Sequence, residues 1–282
     1  MASTQSSIPS INLNNGITIP QLGFGVFQIP AADTKAATLT ALELGYRHID
    51  TAQMYGNEAE VGQAVRESGI PRDEIFVTSK LNNNAHAPEA DTAAAAQRTV
   101  DALDIGPVDL YLIHWPLPEV GDYVATWRIL EEAYQDGKFR SIGVSNFHQP
   151  HLERLLAETD VVPVVNQIEV HPYLSQNPLR QFNSEHQIRT EAWSPIAQGD
   201  VLDDPALAPI AAELGRSVAQ VVLRWHIQRG DIVFPKSVTR ARIAENLELF
   251  DFELSDDQVS TIDALNADRR RGPNPDEFNW VP

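Results

Sequence analysis

The sequence has no cysteine and far fewer basic than acidic side chains. The missing cysteines exclude disulfides and thiolate metal sites, and they suit a reducing compartment such as the cytoplasm. With 21 lysines and arginines against 39 aspartates and glutamates, the formal net charge is −18. Such a balance argues against a nucleic-acid partner, because nucleic-acid binding requires a basic face.

Long apolar runs are also missing. No stretch approaches the roughly 18 apolar residues that cross a bilayer, and the polar start "MASTQSSIPS" lacks the apolar core of a signal peptide. We therefore expect a cytoplasmic protein without membrane contact. Hydrophobic residues make up 43% of the 282 residues, which is ample for a core. No Ser/Gly/Pro-rich linker divides the chain, so we expect one domain over residues 1–282.

A regular alternation of strand-like and helix-like segments organises the chain. It begins with "INLNNGITIP", in which two short β-like runs flank "NNG", a strong hairpin signal. Eight strand-like segments then follow at residues 22–27, 46–50, 75–80, 108–114, 141–146, 164–170, 190–195 and 232–237. Eight βα units predict an α/β fold, a closed (β/α)8 TIM barrel with an N-terminal β-hairpin. The alternative is an open doubly wound sheet, but "GFGVFQ" carries only half of its G-x-G-x-x-G signature.

Helical patterns fill the intervals between the strands. In the first of them Asp33 is the expected N-cap and Gly45 the expected stop. Residues 217–230 and 255–266 exceed a simple alternation, so we interpret them as additional helices near the C-terminus. We expect residues 1–10 to be flexible and the Pro-rich tail 267–282 to be irregular.

Polar side chains stand where predicted strands end. Asp50, Lys80 and His114 close the second, third and fourth strands, and Tyr55 follows shortly after Asp50. The carboxyl ends of barrel strands line one mouth, where active sites form, so we expect these four side chains to converge.

Charge suggests how these four residues could work together. An ammonium about 4 Å from a phenol is worth about 4 kcal/mol at an effective dielectric of about 20, enough to bring the pKa of Tyr55 towards about 7. A buried Lys80 stays charged only if a carboxylate such as Asp50 supports it. His114 can then orient a substrate oxygen. Taken singly, each residue is more simply read as a cap, a solvated cation or a core histidine; their convergence favours a proton-donor unit.

The segments that carry these residues resemble the aldo-keto reductases. The likeness extends from about residue 10 to about residue 265 and rests on "GYRHIDTAQMYGNEAEVG", "TSKL", "LYLIHWP", "IGVSNF", "NQIEVHP" and "FPKSVTRARIAEN". Within the family it is strongest to the bacterial 2,5-diketo-D-gluconate reductases. The resemblance implies NADPH-dependent reduction of an aldehyde or ketone, with Asp50, Tyr55, Lys80 and His114 as the catalytic tetrad and Tyr55 as the proton donor. It implies no metal.

The resemblance also implies where NADP(H) is held. Ser145, Asn146 and Gln167 correspond to partners of the nicotinamide carboxamide, and Trp193 to the platform on which the ring stacks. The loop near the pyrophosphate would contain Ser194, Ile196 and Gln198.

The family's 2′-phosphate site would correspond to Lys236, Ser237 and Arg242, because two cations and a hydroxyl suit a phosphomonoester. The adjoining cofactor contacts would be Val238, Glu245 and Asn246. Without a ligand, the same segment would simply form an amphipathic helix, and Ser145 and Asn146 would simply end a strand.

The pocket for the carbonyl substrate departs from the family pattern. Where the family often has tryptophan two residues after the lysine, this chain has Asn82, so we expect a wider and more polar pocket walled by Phe27 and Trp115. We expect Phe278 and Trp280 either to cover the mouth as a lid or to pack on the flank.

Two further features have less specific readings. The "RRR" at 269–271 is read as a solvated run rather than a carboxylate-binding site. A metallohydrolase built on His48, Asp50, Glu169 and His171 would leave Lys80 and Tyr55 without purpose. The rival function is a non-catalytic nucleotide-binding barrel of the same superfamily, and the resemblance favours a monomer.

Overall fold

The computed structural model describes residues 8–88 and 91–282. Most of the segment 1–10, for which we expect flexibility, lies outside the described residues. Its last part joins the fold, because the carbonyl of Pro9 accepts a hydrogen bond from the backbone N–H of Gln21 at 2.8 Å. In the described part of the chain, no helix is long and apolar enough to cross a membrane.

A hairpin covers one end of the molecule, as predicted. Strands β1 (Ser10–Asn12) and β2 (Thr18–Pro20) pair antiparallel. Ile19 is fully buried in an apolar cluster at this end. The side-chain amide of Asn14 donates to the carbonyl of Pro163 at 3.0 Å, which ties the hairpin turn to a barrel strand's entry. The hairpin therefore forms a floor.

Eight parallel strands form one sheet whose order follows the chain. They are β3 (Phe24–Gly25), β4 (His48–Asp50), β5 (Phe76–Leu81), β6 (Leu110–Ile113), β7 (Ile142–Ser145), β8 (Val165–Glu169), β9 (Arg189–Trp193) and β10 (Ile232–Val233). Leu22 forms a parallel bridge with Val233, and the backbone N–H of Gly23 donates to the Val233 carbonyl at 2.7 Å. These contacts join the two ends of the sheet, so the (β/α)8 barrel is confirmed.

Seven of the eight strands are buried along their whole length, as expected for a parallel sheet covered on both faces, and β9 is buried except at its end residues Arg189 and Trp193. All six residues of β5 and all five of β8 are buried. Polar side chains in these strands, such as Lys80 and Gln167, therefore need partners inside the barrel.

Ten α-helices surround the barrel in the described residues. They are α1 (Ala31–Leu44), α2 (Glu58–Glu67), α3 (Thr92–Leu103), α4 (Tyr123–Gln135), α5 (Gln149–Glu158), α6 (Asn177–Glu185), α7 (Leu207–Leu214), α8 (Val218–Gln228), α9 (Arg240–Glu245) and α10 (Asp256–Asp263). Gly45 ends α1 in the left-handed region at φ 114°, as predicted. The Asp33 cap is wrong: Pro30 is the N-cap and Asp33 lies in the first turn, because proline's fixed φ suits a helix entry.

The extra helices differ in part from the expectation. Both α7 and α8 lie between β9 and β10, but α8 is the one that packs against β10. The helix inserted into the alternation is thus α7, and interpreting 217–230 as an addition was wrong. Helix α10 follows the last barrel strand as expected, and residues 267–282 contain no helix or strand.

Candidate active site

An ion pair lies inside the barrel at the carboxyl ends of β4 and β5. The Lys80 ammonium donates to Asp50 Oδ1 at 2.7 Å and to the Thr51 carbonyl at 2.9 Å. The side chains of Lys80 and Asp50 are 0% and 3% exposed. Although burial opposes its charge, Asp50 and Tyr55 together raise the pKa of Lys80. The pair therefore holds a permanent cation in a water-poor place.

Tyr55 is the third partner of that cation. A short 3₁₀ turn over Gln53–Tyr55, closed by Gly56 at φ 65°, brings the phenol oxygen to 3.3 Å from Lys80 Nζ. Burial raises the pKa of Tyr55, and the opposing Lys80 ammonium does not outweigh it, because Asp50 counters that ammonium. The predicted fall of the phenol pKa towards about 7 is therefore wrong. Tyr55 instead keeps its proton, which its predicted role as proton donor requires.

His114 directly follows β6 and faces the phenol. Its ring lies 5.8 Å from that of Tyr55, centroid to centroid, at 76°. Burial, with a smaller contribution from Lys80, holds the pKa of His114 well below its usual range. The imidazole is therefore neutral and can donate one hydrogen bond. The structure thus brings all four predicted catalytic residues together at one end of the barrel.

A second carboxyl group inside the barrel was not predicted. Gln167 on β8 donates through Nε2 to Asp50 Oδ2 and to Glu191 Oε2, each at 2.9 Å. Burial, together with the charge of Asp50, raises the pKa of Glu191 to about 8. A glutamate within the buried strand "RTEAW" was the available signal, since charged residues are almost never fully buried without a partner.

A polar cluster beside the tetrad contains four of the residues expected around nicotinamide. Asn146, at φ 63°, donates through Nδ2 to the His114 carbonyl at 2.9 Å and to Ser145 Oγ at 3.1 Å. Trp193 Nε1 donates to Asn146 Oδ1 at 2.9 Å. Ser145 Oγ donates to the Gln167 carbonyl at 2.9 Å. The indole of Trp193 is half-buried, so part of its surface remains available for contact.

The loop after β9 contains the three residues expected near the pyrophosphate. Ser194 and Gln198 both have positive φ, at 49° and 57°, and the segment Ala197–Gly199 is a short 3₁₀ turn. Ile196 packs against the main core. This compact loop adjoins Trp193 directly in the chain.

The residues expected at the 2′-phosphate lie after β10 and on α9. Lys236 and Arg242 are exposed, and Ser237 is buried between them in sequence. Among the described residues neither cation forms an ion pair, whereas Arg240 pairs with Glu43 at 2.8 Å. The remaining residues expected here are exposed or half-buried: Val238, Glu245 and Asn246.

Of the three predicted pocket residues, Phe27 packs against the phenol. Phe27 is 52% exposed and its ring centroid lies 5.0 Å from that of Tyr55. Trp115 follows His114 and is largely buried. Asn82 uses its side-chain oxygen to accept the backbone N–H of Asn83 at 2.7 Å, so it caps a short 3₁₀ turn.

The C-terminal tail reaches the same rim. Phe278 packs on Trp115 with ring centroids 4.3 Å apart, and Asn83 Nδ2 donates to the Trp280 carbonyl at 2.9 Å. Of the two placements considered for the tail, these contacts match the one across the mouth. The Trp280 side chain is itself 52% exposed.

Two of the three arginines at 269–271 are half-buried, so the run is not wholly solvated. Arg269 lies 4.5 Å over the Tyr173 ring, Arg270 donates to His148 Nε2 at 2.7 Å, and Arg271 pairs with Asp200. Each arginine thus contacts a different part of the protein. In the described residues, no three His, Cys, Asp or Glu side chains are arranged to hold a metal ion.

Comparisons with known proteins identify the family. A sequence model described as the aldo/keto reductase family matches residues 21–267. An aldo-keto reductase of Mycolicibacterium smegmatis is 50% identical over 273 residues, covering 97% of this chain and 99% of the relative. A glyoxal reductase of Bacillus subtilis is 47% identical, covering 95% of this chain and 97% of the relative.

A solved structure agrees with these relatives. The crystal structure of a mutant of Gox0644 in complex with NADPH superposes with a TM-score of 0.92 at 43% identity, covering 98% of this chain and all of that one. The chain therefore belongs to the aldo/keto reductase family, as its motifs predicted. The finer likeness to 2,5-diketo-D-gluconate reductases stays a prediction.

Proposed function

We propose that this aldo/keto reductase uses NADPH to reduce aldehydes or ketones to alcohols, with Tyr55 as the proton donor. The observation that carries the proposal is the Lys80 ammonium, which touches both Asp50 Oδ1 and the Tyr55 hydroxyl at the mouth of the barrel. This buried cation lies between the carboxylate, at 2.7 Å, and the phenol, at 3.3 Å. Its position suits a step that creates charge on that oxygen.

The residues present suit a nicotinamide cofactor. Ser145, Asn146 and Gln167 offer donors and acceptors for an amide beside the half-buried Trp193 ring. Lys236 and Arg242 offer two exposed cations for a phosphomonoester in a chain of net charge −18. The NADPH found with Gox0644 supports the same choice here.

When bound, reduced nicotinamide would supply a hydride to the carbonyl carbon. Tyr55 donates its proton to the carbonyl oxygen, and the phenolate that remains lies 3.3 Å from Lys80 Nζ. At that distance and an effective dielectric of about 20 the attraction is about 5 kcal/mol. Because the attraction arises only as the proton leaves, it stabilises the transition state rather than the bound substrate.

Two further residues prepare this transfer. Asp50 keeps Lys80 charged through the 2.7 Å contact. Neutral His114 donates a hydrogen bond to the carbonyl oxygen and so directs the carbonyl towards Tyr55. The reaction runs in both directions in principle, since the same groups return the proton.

The substrates we expect are small aldehydes and dicarbonyls. The relative named glyoxal reductase supports this class. The pocket would be bounded by Phe27, Trp115, Asn82 and the tail residue Phe278. We further propose that the protein is cytoplasmic, consistent with its lack of cysteine, and monomeric, as the family resemblance favours.

The direct test is consumption of NADPH with glyoxal or methylglyoxal, followed by the cofactor's near-ultraviolet absorbance. We expect turnover that requires both reactants. The rival function, a barrel that binds nucleotide without catalysis, predicts NADPH binding and no carbonyl-dependent consumption.

A variant separates NADPH from NADH as the cofactor. Arg242→Ala removes one proposed phosphate ligand, so NADPH binding should weaken by about 10- to 100-fold while NADH binding changes little. Arg98→Ala, at an exposed arginine on α3 outside the proposed cofactor site, is the matched control. Equal losses for both cofactors would contradict the phosphate assignment.

A further inference from the structure

Glu169 is a buried carboxyl group that the reaction does not use. It is the last residue of β8, two positions after Gln167, and its side chain is fully buried. Burying an ionised carboxylate is costly unless donors surround it. The donors around Glu169 come mainly from the C-terminal tail.

Three hydrogen bonds converge on this carboxylate. Oε1 accepts the backbone N–H of Arg271 at 2.6 Å and His171 Nε2 at 2.9 Å, and Oε2 accepts the backbone N–H of Gly272 at 3.0 Å. The Arg270 guanidinium lies 4.0 Å away. Burial raises the pKa of Glu169, but the three hydrogen bonds outweigh it, so the pKa lies below its usual value. The tail backbone is thus held by a charged group.

The held backbone also touches the proposed nicotinamide platform. A Cβ atom built on Gly272 would lie 2.4 Å from Trp193 Cη2 and 3.3 Å from Glu169 Oε2. Only glycine allows the chain to lie between the carboxylate and the indole. Any shift of residue 272 would therefore change the space open to the Trp193 ring.

The tail then continues from this point to the substrate pocket. Six residues after Gly272, Phe278 packs on Trp115, and the backbone N–H of Glu119 donates to Asn279 Oδ1 at 2.9 Å. In the other charged tail contacts the carboxylate is more exposed. Asp200, which pairs with Arg271, is 44% exposed, and Asp276 of the tail, which pairs with His148, is 53% exposed. Among the charged tail contacts described, the Glu169 contact is thus the one shielded from water.

We propose that Glu169 is a positioning residue that fixes the tail at residues 271–272 and thereby couples the cofactor platform to the substrate pocket. Its carboxylate holds Gly272 against Trp193 and sets the point from which the tail brings Phe278 onto Trp115. This inference rests on the proposed function for the roles of Trp193 and the pocket.

The main variant is Glu169→Gln, which keeps the size of the side chain but removes its charge. It also places an amide N–H donor opposite the backbone N–H donors of the tail. Hydrogen exchange at the Arg271 and Gly272 amides should accelerate at least about tenfold. The KM for glyoxal should rise about fivefold or more and NADPH binding should weaken by about threefold or more, with kcat changed less than about threefold. Glu185→Gln, at an exposed glutamate on α6, is the matched control and should change none of these quantities.

Two further variants test the coupling from its two ends. Gly272→Ala keeps the charge but forces residue 272 and Trp193 apart, so it should raise the glyoxal KM and weaken NADPH binding together. Phe278→Ala should raise the glyoxal KM alone. If Glu169→Gln does not fold, Gly272→Ala decides: unchanged KM and unchanged NADPH binding would overturn the coupling.

The outcomes separate this inference from the proposed function. Glu169→Gln with wild-type exchange at both amides, or with kcat lowered and KM unchanged, would overturn the positioning role. Wild-type protein that consumes no NADPH with any carbonyl would overturn the proposed function instead. The exchange measurement needs no turnover, so it would still decide whether Glu169 anchors the tail.

Discussion

Two buried aspartates, one at each end of the barrel, show how similar ion pairs serve different purposes. Asp109 stands immediately before β6, at the floor; its carboxylate is fully buried and accepts from Arg72 and Arg140, each at 2.7 Å, and from the Val77 N–H at 2.9 Å. Asp50 stands at the mouth and is almost as buried. The two ion pairs differ in the cation and in the further groups that the cation contacts.

At the floor, the groups around Asp109 contact other groups whose role is structural. The guanidinium of Arg72 also donates to the Ile105 and Pro107 carbonyls. At the mouth, Lys80 pairs with Asp50 and also contacts the phenol of Tyr55. That phenol is a group that can lose a proton to a substrate. The comparison teaches that burial and pairing alone do not mark an active site. An active site is indicated by a paired cation that also contacts a reactive group at the carboxyl ends of the strands.

We expect the largest effect when the ion pair at the mouth is broken. Lys80→Met removes the cation, so kcat should fall by about 10²- to 10⁴-fold and the free energy of unfolding by about 3–5 kcal/mol, because Asp50 is left unpaired. Turnover with glyoxal and urea unfolding measure the two losses. A kcat within about tenfold of wild type would remove the ammonium from the mechanism.

Breaking the floor should change stability alone. Asp109→Asn removes the charge that Arg72 and Arg140 share, so unfolding free energy should fall by about 2–3 kcal/mol, less than at the mouth because both arginines can reach water. At temperatures well below unfolding, kcat and KM should stay within about twofold of wild type, since the site is remote. A large kinetic defect would mean that the two ends are coupled.

A pH series sharpens the comparison further. The folded pKa of Glu191 is about 8, above its ordinary value of 4.5. The folded state therefore binds this proton more tightly than the unfolded state, and the stability it contributes is lost as pH rises from about 4.5 through about 8. Glu191→Gln should remove roughly 2 kcal/mol of that loss between pH 6 and pH 8. Equal pH slopes for both proteins would contradict a protonated Glu191.

The smallest expected effect concerns the rim of the mouth. Asn82→Trp should lower the KM for small aldehydes by a few fold by narrowing the pocket. It should also cost about 1 kcal/mol of stability, because the Asn82 cap on the Asn83 N–H is lost. Kinetics with small and bulky aldehydes would check this, and no gain for small ones would contradict the wide-pocket hypothesis.

Much of the fold could be predicted because its signals are local. "NNG" predicts the hairpin, and eight strand-like runs predict the barrel. The polar residues that end three of these runs predict the convergence of Asp50, Lys80 and His114. The link from Asp50 through Gln167 to Glu191 depends on how β8 and β9 align, which one sequence does not display.

Depth of burial was the other quantity that local pattern could not supply. Tyr55 was expected to have a lowered pKa because its cation is near, yet the loss of water around the phenol outweighs that attraction. The contacts of the tail could not be predicted either, because the partners of residues 269–272 lie on loops and on the end of β8, distant in the chain.

The most direct test of the central claim is Tyr55→Phe, which removes only the hydroxyl that contacts Lys80. Single-turnover reduction of glyoxal and NADPH affinity should be measured on the same preparation. We predict that the rate falls by about 10²- to 10⁴-fold while the NADPH dissociation constant stays within about twofold of wild type. A variant that keeps most of the wild-type rate would contradict the assignment of Tyr55 as proton donor.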